Sequence, residues 1–203
     1  MSEEPIDGHT LAMTGVHRIR FHRFIFAAAI LVLFAAALNA QEALNPKMDE
    51  QASFDVIGIS TRTNNAAETG PNGEIPKLWE RLFVQGILNN IPDRTDDAIV
   101  VVYTNYASDW NGDYTYILGA KVKPGTKAPN GMVAVTVAPG KYAEFVTGKG
   151  PGAEVVPAAW RQIYGYFQQP GVSPRAYKTD FERYTEMSDP NQVQGHIYIG
   201  VKP

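Results

Sequence analysis

The chain contains no cysteine, which excludes a disulfide framework, a thiolate metal site and a thiol nucleophile. Histidine is almost as scarce. Of four, only His196 lies beyond residue 40. One histidine without cysteines or clustered carboxylates does not build a zinc site, and as a lone haem ligand it is a weak candidate. No metal or cofactor is therefore expected. Charge is low: 18 Lys and Arg stand against 21 Asp and Glu, for a net charge of −3. No basic patch of the kind that neutralises phosphates is visible, so nucleic acid is not an expected partner. G-x-S-x-G, P-loop and Gly-rich dinucleotide motifs are lacking. DWNGD at 109–113 lacks the length and closing glutamate of a calcium loop, and reads as a hairpin turn.

There is one long apolar run, FIFAAAILVLFAAAL at 24–38, preceded by the basic HRIRFHR at 17–23. A charged segment, a short apolar core and small residues after it describe a secretory signal. At about fifteen residues the run is shorter than the roughly twenty that a spanning helix needs. Residues 1–40 are read as a signal peptide, cleaved after Ala40 or Ala37, with an uncleaved membrane anchor as the alternative. Met13 is an alternative start. The domain is accordingly expected outside the cytoplasm, periplasmic or secreted, and any membrane contact is expected only through 24–38.

Hydrophobic residues make up 44% of the 203, enough to bury a core. Residues 41–52 read as a polar linker. FDVIGISTRT at 54–63 alternates and is β-branched, a strand signal. A helix is expected from Ile75, with Pro76 in its first turn and Leu78, Trp79, Leu82, Phe83 and Ile87 on one face. Strands follow at 98–106 and 114–122. The second half then repeats the order. MVAVTVAPGKYAEFVTG at 132–148 reads as two strands around a Pro-Gly turn. A helix starts near Val156–Pro157, with Trp160, Ile163, Tyr164 and Phe167 on one face. QQPGVSPR at 168–175 reads as loop, and strands follow at 176–187 and 193–203.

IPKLW at 75–79 and VPAAW at 156–160 share a frame, and YILGAKVKP at 116–124 matches IYIGVKP at 197–203. A strand–helix–strand–strand unit thus occurs twice, over about 53–124 and 132–203. One unit alone leaves an apolar sheet face with a single helix to cover it. Two give an α+β fold, with one long antiparallel sheet, two helices and a central cleft. Aromatics from both halves would surround that cleft, a favoured place for a small ligand.

From about residue 52 to 203 the chain resembles the GyrI-like, or AraC-type effector-binding, domain. VIGISTRTNN, IPKLWERLF, YTNYASDWNGDYTYILGAKV, VAPGKYAEFVTGKG, AAWRQIYGYF and DFERY carry the resemblance, in the right order. It implies the tandem β-α-β-β fold, shared with SOUL haem-binding proteins. It also implies binding of lipophilic, often cationic compounds in an aromatic pocket, with a pocket glutamate that maps onto Glu182. Regulator members carry a DNA-binding domain; here the N-terminal segment reads as a signal instead. Some stand-alone members are described as hydrolases of reactive electrophiles.

Asp180, Glu182 and Tyr184 point to one face of their strand, Phe181 and Arg183 to the other. If Phe181 faces the helices, Glu182 is solvated. If the cleft lies on the other side, Glu182 is buried among aromatics with a raised pKa, and an incoming cation would restore its charge. Tyr106 is matched with Tyr184 in the repeat, and Tyr114 and Tyr116 share a strand face. Each ring offers a cation about 0.5–2 kcal/mol, or packs as ordinary core. Trp79, Trp160 and Tyr164 either anchor their helices or line the pocket, and Trp110 rims it. The expectation is a monomeric small-molecule binder using Glu182, Tyr184, Tyr106, Tyr114, Tyr116, Trp79, Trp160 and Tyr164. One alternative is a hydrolase with Glu182 as base or nucleophile. Another is an interaction domain without ligand, favoured if side chains fill the cleft.

Overall fold

The computed structural model describes residues 45–203. The signal or anchor read over 1–40 lies outside them. Among the described residues no helix is long and apolar enough to cross a membrane. The elements run β1 (Lys47–Gln51), β2 (Phe54–Thr63), α1 (Asn65–Glu68), α2 (Ile75–Val84), a 3-10 turn (Ile87–Asn90), β3 (Ile99–Thr104) and β4 (Tyr114–Val122). Then come β5 (Val133–Val137), β6 (Gly140–Val146), α3 (Gly152–Tyr166), β7 (Arg175–Tyr184) and β8 (His196–Val201). All eight strands form one antiparallel sheet in the order β1-β6-β8-β7-β3-β4-β2-β5.

That order reads as two equal halves meeting at β7 and β3. The expected duplication is therefore present, with β2, β3 and β4 answering to β6, β7 and β8. Its axis can be located from the register. Trp160 follows Trp79 by the same interval as Glu182 follows Val101, and Val101 pairs directly with Glu182. The pseudo-twofold therefore passes between these two residues. By the same interval Tyr103, not Tyr106, is the counterpart of Tyr184. The match of TNY with ERY placed it three residues too late, and Tyr106 lies beyond the end of β3.

The stretch read as a linker carries β1, which pairs with β6 from Lys47↔Glu144 to Gln51↔Gly140. KMDEQ has no β-branched or aromatic residue, so local propensity gave no strand signal, and the free edge of β6 decides. The strands around Pro139–Gly140 are likewise not partners of each other. β5 pairs with β2, and β6 with β1 and β8. In a flat sheet β5 and β6 would lie about 29 Å apart, six spacings of ~4.8 Å. The chain from Val137 to Gly140 reaches no more than about 11 Å. The sheet must therefore curl until its ends approach. Phe54 of β2 meets Phe181 of β7 edge-on at 5.2 Å, and Phe181 stacks on Tyr198 of β8 at 4.4 Å, which fills the inside of the curl. Gly58 and Gly119 face each other within it. A Cβ on Gly58 would sit 2.3 Å from the Leu118 carbonyl oxygen, so only glycine allows so close an approach.

Both long helices pack on the opposite face. α2 buries Leu78 and Leu82, but Phe83, expected on that face, is 54% exposed. α2 also stops before Ile87, because Gly86 takes a left-handed turn with φ 58°. The N-terminus of α2 has no side-chain cap of its own. Glu68 of α1 supplies one from a distance, accepting from the backbone N–H groups of Glu74 and Ile75 at 3.1 and 3.0 Å. α3 starts four residues before the expected Val156, placing Pro157 inside it, and it buries Ala159 and Ile163 against β6 and β8.

Candidate functional site

The alternation of β7 sends Phe181 into the curl and Asp180, Glu182 and Tyr184 to the helix face. Both faces are covered, so Glu182 is 1% exposed and Asp180 fully buried. Glu182 Oε1 accepts from the Trp160 indole N–H at 2.6 Å and the Tyr103 hydroxyl at 2.9 Å. Oε2 accepts from the Tyr184 hydroxyl at 2.6 Å. Among the described residues no cation is hydrogen-bonded to it. Burial raises the Glu182 pKa, and the bonds from Tyr184, Trp160 and Tyr103 only partly offset that. Burial and then the neighbouring Glu182 push the hydroxyls of Tyr103 and Tyr184 well up, so both remain proton donors.

Rings pack around this carboxylate. Tyr103 touches Tyr114, Tyr116 and Trp160 at centroid distances of 5.5, 5.1 and 5.1 Å. Trp79 gives its N–H to Tyr116 at 2.9 Å and packs edge-on against Tyr184 at 5.6 Å. Tyr114 donates to Asn65 Oδ1 at 3.2 Å, and the Asn65 amide donates to the Tyr164 hydroxyl at 3.0 Å and the Trp110 carbonyl at 2.7 Å. Trp110, 44% exposed, lies 5.9 Å from the Tyr164 ring.

Arg175, expected in the loop at 168–175, opens β7 and is 5% exposed. It pairs with Val201, while Asp180 pairs with Ile199. Five residues along β7 thus span two along β8. This bulge puts Arg175 on the face of Asp180, where plain alternation over an odd spacing would oppose them. Tyr177, inside the bulge, has φ 52°, a conformation costly for a residue with a Cβ. Arg175 Nη2 donates to Asp180 Oδ2 at 2.7 Å and to the Tyr106 hydroxyl at 3.0 Å, and Tyr106 in turn donates to Asp180 at 2.6 Å. The rings of Tyr177, Trp160, Tyr106 and Tyr164 surround its guanidinium carbon at 4.7 to 5.9 Å.

Two cavities adjoin this arrangement. The inner one, about 10 Å³, is lined by Asn65, Tyr103, Tyr106, Trp110, Tyr114, Trp160, Tyr164 and Arg175. It lies at the expected cleft, and side chains have closed it to the room of one water. The outer one, about 310 Å³, is lined by Trp110, Tyr164, Gly165, Phe167, Gln168, Arg175 and Tyr177. Trp110, Tyr164 and Arg175 form the wall between them.

Of the residues singled out by sequence, Glu182, Tyr184 and Trp160 thus meet directly. Tyr106, Tyr114 and Tyr164 line the inner cavity. Tyr116 and Trp79 lie behind Tyr103 and Tyr184 and line neither cavity. Sequence reasoning missed Tyr103, Arg175 and Asn65. The alternation Ile99, Val101, Tyr103 would have found the first. His196 sits on the far face, beside Glu144 at 2.8 Å. Among the described residues no group of three His, Asp or Glu could hold a metal.

Comparison with known proteins gives a consistent result. The family model described as "integron-associated effector binding protein" matches residues 47–201, from the first residue of β1 to the last of β8. YobU of Bacillus subtilis (strain 168) is 29% identical over 147 residues, covering 71% of this chain and 90% of its own. The integron cassette protein VCH_CASS2 of Vibrio cholerae is 32% identical, with a TM-score of 0.61 over 77% of this chain and 95% of its own. SAV2435, solved bound to tetraphenylphosphonium, shares the fold with a TM-score of 0.65 at 17% identity, over 78% of this chain and 94% of its own.

Proposed function

The chain belongs to the integron-associated effector binding protein family, a GyrI-like effector-binding family, and we propose that it binds a lipophilic organic cation over Glu182. Small-molecule binding in general follows from the family; the charge of the ligand and the anchoring residue are our reading. One observation carries it: Glu182 is a buried carboxylate with three hydrogen-bond donors and, among the described residues, no cation bonded to it. Burying an ionised carboxylate is costly unless it is paired. A cation beside it would recover part of that cost and lower the raised pKa. Trp160 and Tyr103 both hold the carboxylate and line the inner cavity, so their ring faces are where such a cation would dock.

Entry requires the wall to move. Trp110 and Tyr164 would swing away from Asn65, joining the 10 Å³ inner space to the 310 Å³ outer one. Pockets for drug-sized ligands start near that combined size, at about 300 Å³. An exported location is likewise our proposal, on the strength of the basic and apolar segments at 17–38, and is tested separately by fractionating cells that express the full chain.

The test is thermal unfolding of the full chain against tetraphenylphosphonium, chosen because SAV2435 was solved with it. At a hundredfold its dissociation constant the ligand should add about 2.7 kcal/mol to stability. Glu182→Gln should keep the fold and lose the gain. A wild type that tetraphenylphosphonium does not stabilise, or a mutant stabilised equally, rules the reading out.

A further inference from the structure

Arg175 has a property that a cation-binding pocket does not explain. Its Nη2 serves Asp180 and Tyr106, yet its buried Nε and Nη1 make no well-formed hydrogen bond among the described residues, although the Tyr164 hydroxyl lies close enough to feel the guanidinium. A buried donor left unpaired forfeits its hydration with nothing in return, and the loss is larger when the group is charged. The guanidinium cannot escape this by losing its proton. Burial works against the charge, but Asp180 and Tyr106 more than compensate, and its pKa stays above the ordinary value. The fold therefore holds a permanent cation in a residue that lines its larger cavity, with spare donors just beneath that lining, where a guest reaches them by displacing a wall ring.

The rest of that cavity fits a particular kind of guest. Trp110, Tyr164, Phe167 and Tyr177 supply flat apolar surfaces, Gln168 one carboxamide, and no acidic residue lines it. Its volume of about 310 Å³ suits a molecule of one or two rings. We propose that the outer cavity is a second, anion-accepting site for a small aromatic carboxylate, anchored by the free N–H groups of Arg175. A carboxylate gains over a neutral acceptor here, because hydrogen bonds between two charged partners are about twice as strong. The bulge at Tyr177 belongs to this site. It alone brings Arg175 to the helix face, and it sets the Tyr177 ring over the guanidinium at 4.7 Å. The site shares the outer cavity with the proposed cation pocket but has its own anchor, Arg175 instead of Glu182, so variants at the two anchors tell the two readings apart.

The test is calorimetric titration of the full chain with 1-naphthoate and with the isosteric neutral 1-naphthamide. The acid should bind at least about tenfold more tightly than the amide, the margin of one charge-assisted bond. Arg175→Lys keeps a cation for Asp180 but removes the spare N–H groups. It should weaken the acid and leave the amide unchanged. Gly165→Leu leaves Arg175 alone and fills the cavity from α3, where a Cβ meets nothing within 4 Å. It should abolish binding of both compounds and covers the case in which Arg175→Lys fails to fold. Glu182→Gln should leave naphthoate affinity intact while removing the response to tetraphenylphosphonium. Equal affinity for acid and amide, no binding of the acid, or a folded Gly165→Leu protein that still binds it would overturn the proposal.

Discussion

In the first half of the molecule Trp79 gives its indole N–H to the Tyr116 hydroxyl; in the second Trp160 gives its own to the Glu182 carboxylate. The two tryptophans hold one position in a duplicated unit. The same interval relates four further pairs of residues. Phe83, stacked on Trp79, corresponds to Tyr164 beside Trp160. Val101 corresponds to Glu182, and Ile99 to Asp180. Arg94, which bridges to Val122, corresponds to Arg175, which pairs with Val201. Arg94 faces outward to Asp97, whose side chain is 97% exposed; Arg175 faces inward to Asp180, whose side chain is fully buried. One unit has kept apolar residues where the other has placed charge. The first half lends the site rings and neutral donors, and the second places the buried charges, on one backbone plan.

The comparison is broken most severely by giving the second half the first half's residue. Asp180→Ile leaves Arg175 buried without its partner and should cost about 3–5 kcal/mol, read as a lower urea midpoint at unchanged slope. Asp97→Ala, which removes the partner of Arg94, should stay within about 1 kcal/mol by the same assay. Comparable losses would mean that the two arginines are not held differently.

The tryptophans give the next largest contrast. Trp160→Phe removes a donor to a buried carboxylate, where hydrogen bonds are worth about 1.5–3 kcal/mol; Trp79→Phe removes one between neutral groups, worth about 1 kcal/mol. Both lose similar ring volume, so the difference in unfolding free energy between them isolates the carboxylate.

Acidity separates Val101 from Glu182. The folded-state pKa of Glu182 is raised by burial, so its contribution is fully present below the unfolded value of about 4.3. It is lost as pH rises through the folded value, by at most about 1.4 kcal/mol per unit. Glu182→Gln removes this dependence. Stability of the mutant relative to wild type should therefore rise from pH 4.5 to 8, and a difference flat in pH would contradict the raised value. The smallest effect is expected for Phe83→Tyr, which copies Tyr164 onto the first half. At 54% exposure the change should stay within about 0.5 kcal/mol in thermal unfolding.

Much of the fold was legible in the sequence because the repeat states it twice. Two prolines and two tryptophans in frame, with the matched closing strands, fix the order of elements and the antiparallel sheet. β1 was not legible, since KMDEQ has no strand propensity and is held by its neighbour. At the site, alternation correctly put Asp180, Glu182 and Tyr184 on one face. Which face was covered could not be read, because the curl buries both. Arg175 was hidden for a different reason. A bulge of several residues changes the parity of a strand, and SPR followed by AYK carries no mark of it.

The register of β3 against β7 bears on why one chain carries both units. Val101 and Glu182 face each other across the pseudo-axis. Two identical copies of either unit, associated in the same way, would have to place one residue type against itself there. Two valines would leave no carboxylate; two glutamates would contest a single proton. With both units in one chain, a substitution reaches one side of the axis without the other. A lone acid at the centre of a symmetric frame is therefore open to a duplicated chain and closed to a homodimer of identical units.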